Sequence, residues 1–191
     1  RMKANEQEAI VETGSNALGR ATDEEIVGLF NTTAPSSGTA QFLDQNAADF
    51  SLDFAMTMCQ KAQAMEWPWD GRAFCPLPSL LWNQFISYKQ VNSSDYVGPD
   101  LPFTKVTTAK TWNGVNWFLA PDSLFPVPSA NQVDIFLYHW TGFGWANNED
   151  VNSIWQWDNR KGCWTVRMEC EGAAAAILPE GIIRGRFKTN G

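Results

Sequence analysis

The sequence has a single histidine, His139, and four cysteines, none of them in a Cys-x-x-Cys pair. One imidazole excludes the helical His-Glu-x-x-His metal motif, and the cysteine spacing offers no tight pair of zinc ligands. So few cysteines in 191 residues also disfavour a disulfide framework. Cys59, Cys75, Cys163 and Cys170 are therefore expected as buried free thiols. No Gly-x-Ser-x-Gly elbow occurs, so a hydrolytic triad would have to be built on His139, which sits mid-strand among aromatics. No phosphate-binding loop occurs either. Gly142-Phe143-Gly144 lacks both a third glycine and a Gly-Lys-Ser/Thr ending, and reads as a strand bend. No apolar run approaches the roughly 18–20 residues that cross a bilayer. Charge is scarce at 18%, and it sums to −7, the wrong sign for a dedicated nucleic-acid surface. These absences predict no catalytic residue, no cofactor or metal site, no membrane partner and no strong direct DNA binding.

Aromatic residues are what the chain has in excess, with ten tryptophans and twelve phenylalanines. Aromatic area on that scale builds a large core, an interface or both. Trp155 and Trp157 fall on one face of a strand, about 6.6–6.8 Å apart by strand rise, and Trp164 can join them across a hairpin. Trp112 and Trp117 flank another strand start. These five are the candidate interface aromatics. A sugar-stacking platform is the competing reading of the same residues, and it would make the chain a Trp-rich carbohydrate-binding or other recognition module. The carboxylate pairs Glu149/Asp150 and Glu169/Glu171 have the composition of a glycoside-hydrolysing pair, but nothing in the sequence sets two of them across a cleft.

Periodicity organises the chain as α+β. Residues 3–30 carry a narrow apolar stripe of Ile10, Ala17, Leu18, Ala21 and Ile26, as for a long helix lying on a sheet. Thr22-Asp23-Glu24-Glu25 resembles a capping box and marks a possible restart. Asn31 to Thr39 is loop by composition. A second helix is expected over 51–65, with Ser51 as cap and Leu52, Ala55, Met56, Cys59, Ala62 and Met65 inward. A short strand over 72–77 then leads into a third helix over 78–86. Asn92 to Phe103 reads as loop, Gly114 to Leu119 as strand, and Pro121 to Pro128 as a turn. Val133 to Trp140 is apolar on both faces and is expected at the centre of a sheet. Two strands, 151–157 and 163–170, are joined by the turn Asp158 to Gly162. The tail from about 172 to 188 is extended except at Pro179-Glu180-Gly181, and its Arg184, Arg186 and Lys188 read as a solvated strand face. Helices and strands do not alternate regularly, which argues against a doubly wound parallel sheet.

Taken in order, several stretches carry a resemblance. They are Gly19-Arg20-Ala21-Thr22-Asp23-Glu24-Glu25-Ile26 in the long helix, Arg72-Ala73-Phe74-Cys75-Pro76-Leu77-Pro78 entering the third helix, and Ser94-Asp95-Tyr96-Val97-Gly98 after it. Trp112-Asn113-Gly114-Val115-Asn116-Trp117, Val133 to Trp145, and Leu178-Pro179-Glu180-Gly181-Ile182-Ile183 complete the set. The succession resembles the C-terminal part of a tailed-phage major capsid protein with the HK97-type fold. That resemblance implies a peripheral lobe with a spine helix at 1–66, an axial lobe at 67–170 and a return strand to the peripheral lobe at 171–191. The family's N-terminal arm and extended loop would precede Arg1. It further implies a non-enzymatic subunit that self-assembles into pentamers and hexamers around a genome. Its partners would be copies of itself, with scaffold, portal or decoration proteins beside them, in a virion capsid assembled in the host cytoplasm.

Overall fold

A computed structural model describes residues 4–38, 40–45, 49–92 and 108–188. The chain divides into two compact units, one of Arg1–Leu29 with Trp145–Ala175, the other of Phe30–Gly144 with Ala176–Gly191.

The second unit is built on a six-stranded mixed sheet. Its strands are β1 (Phe42–Gln45), β2 (Ala73–Leu77), β3 (Ala109–Trp112), β4 (Val115–Leu119), β5 (Gln132–His139) and a C-terminal strand, Ile182–Lys188, β8 below. Their spatial order is β1-β8-β5-β2-β4-β3. β5 is interior, as its two-sided apolar pattern requires. It pairs antiparallel with β8 from Gln132↔Lys188 to Tyr138↔Ile182. The pairs β1/β8 and β2/β4 are parallel.

Helices α2 (Leu52–Ala64) and α3 (Ser79–Ser87) cover one face of this sheet. Ser51 occupies the N-cap position of α2 in extended geometry, without a side-chain cap bond. The inward face of α2 is Ala55, Met58, Cys59 and Ala62, so Met58 takes the place expected of Met56, which is exposed. Met58 lies against Gly185, where an added Cβ would come within 3.1 Å of its sulfur. Phe187 sits in edge contact with Phe50 and Phe54. Phe85 of α3 packs on Trp117 with ring centres 5.1 Å apart. A short helix, α4 (Lys89–Asn92), follows α3. The opposite face takes Phe30, whose ring meets those of Phe136, Tyr138 and Phe143. Each fully buried side chain of this kind contributes roughly 1.5–3 kcal/mol.

The first unit consists of helix α1 (Ala4–Thr33) up to Leu29 and a long antiparallel ribbon, β6 (Phe143–Asp158) and β7 (Cys163–Ala176), from Trp145 to Ala175. α1 does not break at Thr22, whose hydroxyl bonds back to the carbonyl of Leu18 at 3.1 Å instead of capping a new helix start. The ribbon is longer than the expected 151–157 and 163–170, and its turn at Asp158 to Gly162 is as read. Gly162 closes that turn with φ +64°. Gly14 marks where β7 crosses α1, since a Cβ there would overlap the Met168 sulfur.

The units cut the chain differently from the expected lobes at 66/67 and 170/171. The ribbon containing 151–170 groups with residues 1–29, and β8 joins the sheet that holds β2, β4 and β5. The physical reason is hydrogen bonding. β6 and β7 satisfy each other, while β8 fills the gap between β1 and β5. Of the stretches that carried the resemblance, Ser94 to Gly98 lies outside the described residues.

Candidate functional site

The one histidine, the first candidate for chemistry, is held in a structural tie. His139 is 1% exposed. Its Nδ1 accepts from the Thr141 amide and lies 2.8 Å from the Thr141 hydroxyl, so Nε2 carries the proton and donates to Asp70 Oδ1 at 3.1 Å. Asp70 also accepts from the Arg72 amide at 3.0 Å, and the Arg72 guanidinium lies over Trp140. This is hydroxyl–imidazole–carboxylate in composition, but the imidazole is sealed and the hydroxyl belongs to its own turn. The hydrogen bond from His139 holds the Asp70 carboxyl below its ordinary value. That tie therefore stabilises the fold above the ordinary carboxylate range and is lost as pH falls through the lowered value.

The tail arginines correct the expectation of a solvated face. Arg184 is 4% exposed and Asp134 1%. Asp134 faces them across the β5/β8 ladder, where it is the direct partner of Arg186. Arg186 grips it with two bonds, Nε to Oδ1 at 2.7 Å and Nη2 to Oδ2 at 2.9 Å. Arg184 Nη1 reaches Oδ2 at 3.3 Å, and its Nη2 donates to the Asn31 carbonyl. Burial pulls the Arg184 pKa down from its usual range, while the bonds to Asp134 push that of Arg186 up. Two cations on one buried carboxylate, Arg184 buried and Arg186 partly so, form a structural network, not a phosphate site.

The cysteines split. Cys59 and Cys75 are buried and free, whereas Cys163 is exposed and Cys170 half-buried on the ribbon. Burial pushes the Cys59 thiol up to about 11 and holds that of Cys75 well above its ordinary value. Among the described residues no group of three or more metal-ligating side chains gathers, and no helix is long and apolar enough to cross a membrane.

The candidate aromatics split in the same way. Trp117 is wholly buried and Trp112 packs on it at 6.3 Å, so both belong to the core and Trp117 is no surface anchor. Alternation along β4 turns Val115 and Trp117 inward together. Trp157 and Trp164 are each 46% exposed, and their rings meet nearly edge to face at 67°. That geometry is not the flat platform on which a sugar would stack. Trp155 forms one wall of an open hollow of about 840 Å³ with Gln7, Glu8, Val11 and Glu12 of α1. A second hollow of about 490 Å³ lies between Ile10, Thr13 and Gly14 and the side chains of Val166 and Met168. Val151 and Ile154 are exposed on the same ribbon. Carboxylates along it are tied locally, Glu169 to Arg167 at 2.6 Å and Glu171 to Asn148 at 2.7 Å. The ribbon is therefore the surface on which large apolar side chains, Val151, Ile154, Trp157 and Trp164, stand exposed.

The exposed ribbon was legible only as an aromatic hairpin. The signal for the ion network was Asp134 itself, an acid inside an otherwise apolar strand, which demands a buried cation.

Comparison with known proteins points one way. The family model described as phage capsid protein matches residues 1–189. No curated protein matches the chain. Among solved structures, one from Mycobacterium phage Che8 aligns with TM-score 0.66 at 13% identity, over 93% of this chain and 62% of that one. The mature capsid of bacteriophage PhiM1 aligns with TM-score 0.67 at 11% identity, over 100% of this chain and 67% of that one. The capsid of cyanophage Pam1 gives TM-score 0.68 at 13% identity, over 100% and 70%. The chain thus spans a little under two thirds of the first of these, and the fold it shares with them is the HK97-like capsid fold.

Proposed function

This chain belongs to the phage capsid protein family, and from that premise we infer that it is the repeating structural subunit of a tailed-phage icosahedral shell, assembling into pentamers and hexamers that enclose the genome. The observation that carries the reading is the family match over residues 1–189. A shell subunit works by repeating one surface contact under symmetry. Its functional residues lie on interfaces, and the family's role is structural, not enzymatic. The unpartnered ribbon with Trp155, Trp157 and Trp164 supplies such a surface, since tryptophan is enriched where subunits meet. With a net charge of −7 the chain repels phosphate, so the genome is held by enclosure and counter-ions and not by a basic surface.

We also propose the lobes. The unit holding α1 and the ribbon is the peripheral lobe, and the unit holding the six-stranded sheet is the axial lobe, with β8 as the strand that returns to it. This assigns 145–170 to the peripheral lobe, and 30–66 and 176–191 to the axial lobe, the reverse of what was expected on sequence. Assembly in the host cytoplasm and contacts with scaffold, portal or decoration proteins belong to the same reading.

Electron microscopy of the concentrated protein is the test. Rings or shells with fivefold and sixfold symmetry are expected. Monomers alone, at every concentration and with the longest natural form of the chain, would overturn the reading.

A further inference from the structure

We infer that the turn of the ribbon in one copy docks head to tail into the hollow beside α1 of another copy, setting Arg160 and Lys161 against Glu8 and Glu12. The inference deepens the self-assembly reading and rests on it.

Charge is segregated along this unit. Between Ala4 and Leu18 the chain has Glu6, Glu8 and Glu12 and no base. The ribbon turn has Arg160 and Lys161 against Asp158 alone. Asp158 is already engaged, its Oδ1 accepting from the backbone amides of Arg160 at 2.9 Å and Lys161 at 3.2 Å. Among the described residues, none of Glu8, Glu12, Arg160 and Lys161 makes an ion pair within the chain.

Within the chain the turn does not satisfy the hollow. β6 ends at Asp158, two residues short of Arg160, and among the described residues neither Arg160 nor Lys161 forms an ion pair with Glu8 or Glu12. The hollow describes the partner that another copy would bring to it. Two carboxylates beside an indole and Val11 suit a cationic side chain flanked by apolar surface. Arg160 and Lys161 are flanked in just that way by the half-exposed Trp157 and Trp164.

Net charge strengthens the argument. At −7, copies of this chain repel unless opposite patches face each other at short range. At physiological ionic strength that range is about 8 Å. A tip-to-hollow contact uses a different surface on each copy, and such heterologous contacts close into rings when the rotation divides a full turn.

The experiment uses the full chain and two variants, E8K/E12K and R160E/K161E, followed by sedimentation and electron microscopy. Circular dichroism checks that each variant is folded. Each variant alone then carries like charges on tip and hollow, and association should weaken about tenfold or more. An equal mixture of the two restores opposite charges between unlike copies and should recover assembly, which a contact within one chain could not do. Should either reversal disturb folding, the milder E8Q/E12Q and R160Q/K161Q serve, and both should flatten the salt dependence of association. Variants that associate like wild type, or a mixture that fails to recover, would overturn the tip-to-hollow contact while wild-type assembly keeps the capsid reading. A wild type that never associates would overturn both.

Discussion

The two units of this chain hide very different amounts of themselves. In the sheet unit, Phe30, Phe50, Phe85, Trp117, Phe136 and Phe187 are almost wholly buried, and an ion network is sealed among them. In the ribbon unit, among the described residues, Val27 is the one buried hydrophobic side chain. Both draw on the same aromatic-rich composition. The difference is layering. The six-stranded sheet has helices α2 and α3 on one face and the end of α1 on the other. The ribbon has two strands of sixteen and fourteen residues and one helix. Two strands cannot bury their own side chains, and an isolated ribbon of this kind is marginal in water. One unit is finished by intramolecular packing, while the other presents surface that a neighbouring subunit can complete.

Thiol labelling should show the contrast at its largest. Cys163 should react with iodoacetamide at mildly alkaline pH at the rate of an exposed thiol. Cys59 and Cys75 should react about a thousandfold more slowly or less, since they need the sheet unit to open. Their burial keeps them protonated past pH 9, so folding is favoured below that pH and the advantage is lost as pH rises toward about 11. Equal rates by peptide mass spectrometry would erase the proposed difference between the units.

The ion network is the next lever. Asp134→Ala leaves Arg184 buried without its carboxylate, and a loss of about 3–5 kcal/mol is expected in denaturant unfolding. Replacing Asp134 and Arg184 together with apolar residues should cost less. A third comparison uses one deletion in each unit. Leu137→Ala removes a wholly buried side chain from β5 and should cost about 2–5 kcal/mol. Ile154→Ala on the ribbon should change the monomer by about 0.5 kcal/mol or less and act on association instead. Equal effects on the monomer would mean the ribbon has a core of its own. The smallest effect is a gain. Gly19 lies inside α1, and a Cβ there meets nothing within 4 Å. Gly19→Ala should therefore stabilise by about 0.5–1 kcal/mol, read as a rise in melting temperature.

Much of the local structure could be read from the sequence, because helix and strand periodicities are local. α1, α2 and α3, the central β5 and the ribbon turn all follow from patterns within ten or so residues. What could not be read depends on distance along the chain. β1 is only four residues, just after a Ser/Thr/Gly-rich stretch, and it is a strand because β8, some 140 positions later, offers it a parallel partner. The arginines of β8 looked solvated because Asp134 lies about fifty positions away. Trp117 looked like an anchor because no local pattern shows that α3 covers it. The grouping of the ribbon with α1 is likewise a matter of which strands find partners elsewhere. The unpaired charges of Glu8, Glu12, Arg160 and Lys161 were visible as residues, but their lack of partners is a property of the folded chain.

Gly142 and Gly181 touch backbone to backbone, with a Cβ on either falling under 3 Å from the other. The Gly142 carbonyl also accepts from the amides of Ile177 at 3.0 Å and Leu178 at 3.2 Å. The chain therefore departs for the ribbon and comes back at a single stitch. Everything between, residues 145–175, is a loop in the tailor's sense, and its length is invisible to the sheet.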